Sequence, residues 1–357
     1  GLGDVYKRQP FSRRYFGGES GLFSYAHEWA ELYGQVAAAT AEPALSQWEE
    51  GRKVSPEQLQ SFLKDPVKYF FTRRLRVYLD EEEQTQLDSE PFGLDGLERY
   101  HLQDQLLKAA LAVPQEDRED AWEAAANRLR RSGQLPLAGF GEQYRADLLG
   151  PLPNQMERYS SLCELWLECQ ESSLQLAFEA SGIQLQGWLS GLRRHADGRL
   201  ARLELMPGSL ANDNDLKWHR LLRPYVMHVI AAACGAPLTT LLVGEDQSRS
   251  FAPISVVDAE RVLGGWLQAW DTGMAVPLPV ALKTSVNWLQ NQDEDKAQSC
   301  YEGAFKIVGE VTSSASLARQ YPDYSALIAD GQFPILSEQL YRSLLDSELT
   351  QLEESQA

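Results

Sequence analysis

The spacing of apolar residues in the middle of the chain predicts a run of strands between two helices. Three segments alternate apolar and polar residues or run apolar over strand lengths, as is typical of strands that bury one or both faces. Gly182 lies between the first two segments, and Asp197-Gly198, a tight-hairpin signal, between the second and third. In chain order, the predicted elements are a helix over 155–170, strands over 173–178, 183–189 and 200–206, a helix over 215–234 and a strand over 238–243.

Helical periodicity dominates the rest of the sequence. The clearest helix start is at Ser55, because Ser55 can cap the helix, Pro56 suits its first position and Gln58 can complete a capping box. Asp65-Pro66 predicts a break and a restart. Further helices are predicted over 94–112, 122–131, 255–273, 294–308 and 337–349. Six tryptophans in predicted elements are expected to lie mainly in the core: Trp166, Trp188, Trp218, Trp266, Trp270 and Trp288.

These elements divide the chain into four predicted parts. Residues 1–9 lack hydrophobic periodicity and are predicted to be a non-native leader. Residues 10–54 are predicted to form an extended connecting segment with a helix, 55–350 one large domain, and 351–357 a polar tail. The hydrophobic content of 43% over 357 residues is enough for one large core or two smaller ones.

The charge of the chain narrows the function classes. A formal net charge of −18 argues against autonomous, non-specific DNA binding, because phosphate neutralisation drives such binding. The negative net charge is still compatible with a local basic groove within a larger assembly. The four cysteines form no C-x-x-C pair and no histidine lies at metal-finger spacing, so we expect reduced thiols and no metal. No apolar run is long enough to cross a bilayer, which predicts a cytoplasmic protein without membrane contact.

Two basic clusters oppose the acidic average. Basic side chains can contact phosphates while nearby aromatic rings stack on bases, so both clusters are candidates for DNA contact. The alternative is an ordinary charged, solvated face. The first cluster is Lys64, Lys68, Arg73, Arg74 and Arg76, and the second is Arg193, Arg194, Arg199 and Arg202, followed along the chain by Lys217, Arg220 and Arg223.

Several segments of the chain resemble the C-terminal part of the gamma chain of exodeoxyribonuclease V, the RecC family. Each segment alone is a weak signal, whereas together they are fairly specific, and the resemblance runs over most of the chain. The segments are Pro10 to Phe16, Asp65 to Phe71, Glu90 to Tyr100, Trp218 to Pro224 and Val276 to Pro279.

The resemblance implies an α/β fold with a PD-(D/E)xK nuclease-like core, in which a central mixed sheet is flanked by helices in the order αβββαβ. It also implies added helices and a degenerate catalytic site, and it assigns the nuclease-like domain to residues 55–350. Active relatives carry a Gly-x-aliphatic-Asp strand beside an Asp-x-Lys strand. Gly187 to Ser190 and Glu204 to Met206 resemble those positions, and Tyr100, next to His101, resembles the position of a metal-binding histidine.

The substitutions in this pattern predict that no cofactor or metal is bound and that cleavage is lost. Mg²⁺ demands several hard oxygen ligands, and Ser190 offers one neutral hydroxyl in place of a carboxylate. The Met206 thioether carries neither the charge nor the donor of a lysine that would stabilise developing charge on phosphate. Glu204 alone would ligate a metal weakly.

The resemblance implies a non-catalytic, DNA-guiding and scaffolding part of a bacterial RecBCD-type helicase and exonuclease complex, which acts in double-strand-break repair and recombination. Its partners would be RecB-like and RecD-like subunits and the DNA within this hetero-oligomer. One alternative is a divergent Mg²⁺-dependent nuclease that uses Glu204 with Asp197 or Asp213. Another is a protein-interaction domain that makes no DNA contact.

Overall fold

A six-stranded mixed sheet and a smaller sheet form the centre of the protein, and helices pack around them. All residues that the computed structural model describes belong to one unit, Trp48–Ala357. They are residues 52–79, 96–135, 138–169, 173–212, 215–304 and 307–352. The predicted leader over 1–9 and nearly all of the predicted connecting segment over 10–54 lie outside these ranges.

The described elements follow in chain order. The strands are β1 (Lys53–Val54), β2 (Trp166–Glu168), β3 (Ser173–Ala180), β4 (Ile183–Ser190), β5 (Leu192–His195), β6 (Leu200–Leu205), β7 (Ala211–Asn212), β8 (Asp215–Leu216), β9 (Thr239–Val243), β10 (Ser248–Phe251), β11 (Gly303–Ala304), β12 (Ile307–Val308) and β13 (Leu349–Gln351). The helices are α1 (Pro56–Lys64), α2 (Pro66–Tyr69), α3 (Gly96–Leu111), α4 (Arg118–Arg131), α5 (Ala138–Leu149), α6 (Leu152–Leu165), α7 (Trp218–Ala233), α8 (Val256–Ala275), α9 (Leu282–Asn291), α10 (Glu294–Glu302), α11 (Ala315–Gln320), α12 (Tyr324–Ile328) and α13 (Gln332–Leu345). A π-helical segment, Phe70–Leu75, continues α2.

The larger sheet has the strand order β13-β10-β9-β6-β5-β2. Its β6 and β9 are parallel and are connected through α7, whereas the other pairs in this sheet are antiparallel. The smaller sheet has the order β1-β4-β3, with β1 parallel to β4. The chain therefore runs helix, strand meander, helix, strand from α6 to β9, which is the order that the apolar pattern predicts and is consistent with the α/β class.

Strand β9 is buried on both faces because its alternate side chains pack into two cores. Leu241 and Val243 pack with Leu162 of α6. Leu242 lies in the large core, which also contains most of the buried residues of α7. A strand covered by helices on both faces is usual in α/β sheets with parallel strands. The larger sheet is therefore flanked by α6 and α7 at its centre.

The second predicted strand, 183–189, is found as β4, and a further strand that was not predicted, β5, follows it directly. Gly191, with a φ of +74°, separates β4 from β5, and the left-handed backbone at this position favours glycine. The break lets Leu189 and Leu192 both enter the large core. Gly187 is also constrained, because a Cβ at this position would lie 2.6 Å from the Pro56 side chain at the start of α1.

The predicted start of α1 is confirmed. The Gln58 backbone N–H donates to Ser55 Oγ at 3.2 Å, and the Ser55 N–H donates to Gln58 Oε1 at 2.9 Å. The predicted break at Asp65-Pro66 is also found, because Asp65 accepts a hydrogen bond from the Lys68 N–H at 2.8 Å and begins α2. Both helix starts follow from side chains that satisfy free backbone donors.

Several element boundaries differ from the predictions. The helix predicted over 155–170 ends at Leu165, and the next three residues form the edge strand β2, which pairs with β5. The helix predicted over 294–308 ends at Glu302, because Gly303 adopts a φ of +94° and begins a short hairpin. The last helix is α13 instead of 337–349, and β13 includes Gln351, the first residue of the predicted tail. Trp188 was expected in the core and is 63% exposed.

The histidines of α7 are neutral, packed groups. His228 is buried, and its Nδ1 lies 3.0 Å from Thr240 Oγ1. Burial lowers the pKa of His228 to about 4, and burial together with the charge of Lys283 lowers the pKa of His219 to about 4. Within the described ranges, no group of three histidine, cysteine or acidic side chains is arranged to hold a metal ion, and no helix is long and apolar enough to cross a membrane.

Candidate functional site

The carboxyl ends of β6 and β9 lie side by side, where the sequence places the residues of the nuclease-like pattern. Leu205 pairs with Val243 in the parallel register, and the Met206 N–H donates to the Val243 carbonyl at 2.8 Å. Alternate residues of β6 face different cores. Ala201 packs with α6, whereas Met206 lies in the large core on the α7 side. Strand alternation puts Glu204 on the same face as Met206.

Met206 occupies a closed position. It is only 9% exposed and packs in the large core. Gln155, itself 2% exposed, donates from Nε2 to the carbonyls of Met206 and Val243 at 2.9 and 3.1 Å. A single side-chain amide from α6 thus satisfies the last carbonyls of two neighbouring strands. Met206, the residue predicted to replace a lysine, is part of a packed structural junction.

Glu204 is partly buried and paired with a cation. Its side chain is 14% exposed, and its Oε1 accepts a hydrogen bond from the Arg202 guanidinium two residues earlier on the same face. The pair partly neutralises the carboxylate locally. A metal ion at Glu204 would therefore compete with a positively charged neighbour.

Ser190, the predicted counterpart of the catalytic aspartate, lies two residues before Leu192, which pairs with Arg202 of β6. It ends β4 and pairs with Ser173 of β3, in the smaller sheet. It is exposed, while the preceding Leu189 is 2% exposed. Alternation along β4 puts Ser190 on the face opposite Leu189, which lies in the same core as Met206. Glu204 and Met206 therefore share one face at the end of β6, and Ser190 is exposed at the end of β4.

Tyr100 of α3 is close enough to Arg220 at the start of α7 to favour the charged form of that guanidinium, and the neighbouring His101 is exposed. The same helix approaches the loop after β9. Arg99 Nη2 and Gln103 Nε2 donate to the two carboxylate oxygens of Glu245 at 2.9 and 3.0 Å.

Further hydrogen bonds connect the loops that follow β6 and β9. Arg158 of α6 donates to the carbonyls of Gly244 and Glu245 at 2.6 and 3.2 Å. Asp246 accepts hydrogen bonds from the backbone N–H groups of Leu210 and Ala211 at 2.7 and 3.0 Å. The polar groups here hold the two loops together by hydrogen bonds and ion pairs, and the acids are used as acceptors for protein donors.

The first basic cluster lies on consecutive helical elements, α1, α2 and the π-helical segment, and ends at Arg76, the residue that follows them. Lys64, Lys68, Arg73 and Arg76 are exposed and Arg74 is half-buried. Tyr78 follows directly and is 76% exposed. An exposed aromatic ring beside several cations is an arrangement that suits single-stranded nucleic acid.

The second basic cluster is largely paired with acids. Arg193 Nη2 lies 3.2 Å from Glu168 Oε1, and Arg199 Nε lies 2.7 Å from Asp197 Oδ2. Arg202 pairs with Glu204, as described above, while Arg194 is exposed and donates to a backbone carbonyl at 3.4 Å. These pairs reduce the positive field of the cluster.

The alternative nuclease site would use Asp197 or Asp213 together with Glu204. Asp197 lies in the β5–β6 hairpin turn, where a hydrogen bond from the Arg199 N–H lowers its pKa to about 2. It also faces His195 at 2.9 Å. Asp213 lies outside the described residues.

Sequence reasoning missed the residues that close this edge. Gln155, Arg158, Arg99 and Glu245 come from three separate segments and form no motif. Gln155 is one of several polar residues on an amphipathic helix, and periodicity does not distinguish it from a solvated one.

Comparison with known proteins identifies the family to which the chain is similar. The RecC C-terminal domain family model matches residues 51–293. The chain is similar to the RecBCD enzyme subunit RecC of Escherichia coli, with 30% identity over 330 residues, which is 86% of this chain and 27% of that protein. It is also similar to the RecBCD enzyme subunit RecC of Haemophilus influenzae, with 30% identity over 129 residues, 35% of this chain and 11% of that protein.

The chain thus spans about a quarter of the length of the first of these relatives. The matched region contains α1 to α9, including the two basic clusters and the β6–β9 edge. On the family match and the similarity over most of the chain, this protein belongs to the RecC C-terminal domain family.

Proposed function

We propose that this chain is a non-catalytic part of a bacterial RecBCD-type helicase and exonuclease complex, where it supports partner subunits and guides DNA during double-strand-break repair and recombination. Its family membership supports the complex. The observation that carries the non-catalytic role is the packed Met206 junction, where a lysine would be needed for cleavage. ATP hydrolysis and strand cutting would belong to the partner subunits.

We also infer that the region from α6 to β9 is a degenerate PD-(D/E)xK nuclease-like core. The element order and the mixed sheet between α6 and α7 support this assignment. Ser190 on the outer surface, Glu204 paired with Arg202, and the thioether of Met206 offer no constellation that would bind Mg²⁺ in octahedral geometry.

DNA contact is proposed mainly for the first basic cluster. Its cations lie on the outside of a helical stretch and adjoin the exposed Tyr78. Cations of this kind displace the counterions of a phosphate backbone. In the second cluster, three of the four arginines pair with acids, which reduces its positive field. The protein would act in the cytoplasm, with RecB-like and RecD-like subunits as partners.

The proposal is tested by assembly followed by crosslinking. The full-length subunit carrying a photo-crosslinking amino acid at Tyr78 is co-purified with its RecB-like and RecD-like partners and is then irradiated with forked DNA. We expect stable assembly and a DNA adduct at this position. The control places the same group at Val257, which is 74% exposed on α8, and is expected to give little adduct.

Two outcomes would contradict different parts of the proposal. Failure to co-purify with either partner would remove the scaffolding role. Assembly without a DNA adduct at Tyr78, at the second cluster or at any other tested site of the chain would leave a protein-interaction domain without DNA contact.

A further inference from the structure

The start of α7 concentrates cations around one serine. Lys217 is the residue that precedes the helix, and its ammonium group contacts Ser209 Oγ. Arg220, in the first turn, donates from Nη1 to the Ser209 carbonyl at 3.2 Å. Both side chains belong to half-buried residues. Two cations from one helix end therefore converge on the loop that follows β6.

More positive charge surrounds this point. Arg99 of α3 acts electrostatically on Lys217 and Arg220, and Lys283 of α9 acts on His219 between them. Burial is the first cause that lowers the pKa of both Lys217 and Arg220, and for Lys217 the second cause is repulsion by Arg220. The cations are thus held close together against their mutual repulsion, which an anionic ligand would relieve.

The nearby carboxylates are engaged by other groups. Glu245 accepts from Arg99 and Gln103, and Asp246 accepts from two backbone N–H groups of the loop after β6. Both carboxylates raise the pKa of Lys217 and Arg220, but burial, which lowers it, is the larger influence. These acids therefore organise the loop around the cations without forming a hydrogen bond to either one in the described part of the chain.

The helix itself adds to the positive field. The first turn of α7 has no acidic residue, and no side chain caps the N-terminus among the described residues. The partial positive charge of a helix N-terminus reinforces nearby cations and favours an anion. Here the cation cluster is the primary feature and the helix end is additional to it.

We propose that Lys217, Arg220 and the Ser209 hydroxyl form a binding site for a backbone phosphate of a nucleic-acid strand, at the carboxyl ends of β6 and β9. Two cations that converge on one serine suit a phosphate group of such a strand, and Lys283 adds positive charge near the start of α7. The inference rests on the proposed DNA-guiding function and adds a contact site separate from the first basic cluster.

The test uses the full-length subunit assembled with its RecB-like and RecD-like partners. The affinity for forked DNA is measured over a series of salt concentrations for wild type and for the Lys217→Gln/Arg220→Gln variant. We expect the slope of log K against log[salt] to become shallower by about 1 to 2 and binding to weaken at least about threefold. The control, Arg128→Gln/Arg319→Gln, removes the same charge from exposed residues of α4 and α11 and should change the slope little.

A second pair of variants guards against misfolding. The charge-preserving Lys217→Arg/Arg220→Lys variant should retain most of the salt slope. If the double variant does not assemble, the single Lys217→Gln variant is measured in its place, and it should make the slope shallower by about 1. The proposed site would be overturned if the double variant assembled and kept the wild-type salt slope and affinity. If the double variant did not assemble, the same result for the single variant would overturn the site. Absence of any DNA adduct to the wild-type chain would instead overturn the proposed function on which the site rests.

Discussion

Replacing Met206 with lysine is expected to lower the free energy of unfolding by about 3 kcal/mol or more, because the substitution places an ammonium group in the large core. Met206 is 9% exposed and packs among apolar side chains on the α7 side of β6. The backbone on both sides is fixed by hydrogen bonds to Val243 and Gln155. The ammonium group could reach water only by displacing its neighbours. Otherwise the lysine would have to lose its proton and be buried as a neutral amine.

The measurement is the midpoint of thermal and denaturant unfolding of the full-length subunit. Met206→Leu preserves volume and is expected to cost less than about 1.5 kcal/mol. Leu167→Lys, at a position 65% exposed on the edge strand β2, introduces the same charge and should have little effect. If Met206→Lys unfolded at the same midpoint as the leucine variant, the position would be an open site and the junction described here would be wrong.

Gln155→Glu is expected to destabilise the protein by about 2–4 kcal/mol at neutral pH. The Gln155 amide donates to two buried carbonyls, and a carboxylate in its place would face both carbonyl oxygens with no proton to donate. Repulsion and burial would raise the pKa of the new carboxyl group in the folded state. The folded protein would then bind a proton more tightly than the unfolded chain, so the deficit should shrink as pH falls from the raised pKa towards the ordinary glutamate value.

This prediction is checked by the difference in unfolding midpoint between variant and wild type from about pH 5 to about pH 8. Gln155→Leu also removes the donors, but it should give a deficit that does not change with pH. Gln105→Glu makes the same substitution on the exposed side of α3 and should be nearly neutral. A deficit in Gln155→Glu that grew with acidification would contradict the proposed contact geometry.

Sequence alone predicted the elements whose signals are local. The capping residues Ser55 and Gln58 define the start of α1, and Asp197-Gly198 forms the predicted hairpin between β5 and β6. The apolar run over 238–243 becomes β9, which is buried on both faces. In each case the residues that determine the structure lie within a few positions of one another.

Elements that depend on distant partners were not predicted. The edge strand β2 exists because Trp166 to Glu168 pair with β5, and β13 exists because Leu349 to Gln351 pair with β10. Trp188 has the residue type of a core position, yet its place in the alternation of β4 puts it on the outer face. Which strands pair, and which face of a sheet a side chain occupies, depend on tertiary structure, and residue propensities carry no information about it.

The candidate site was predictable only in part. The identities of Glu204 and Met206 could be read from the sequence, but their environments could not. The Gln155 junction and the serine shared by Lys217 and Arg220 arise from helices and loops that meet only in the folded protein. The Arg202 partner lies two residues from Glu204 on β6, but the alternation of a strand does not predict that the two side chains pair.

The most direct test of the central claim is a combined cleavage and metal-binding measurement on the purified full-length subunit, with Mn²⁺ or Mg²⁺ and with linear and single-stranded DNA. We expect no cleavage above the background of a Glu204→Gln preparation and no Mn²⁺ bound at this site by titration. Cleavage by the wild-type protein that Glu204→Gln abolishes, together with an Mn²⁺ ion coordinated by Glu204, would contradict the account and would establish a divergent nuclease.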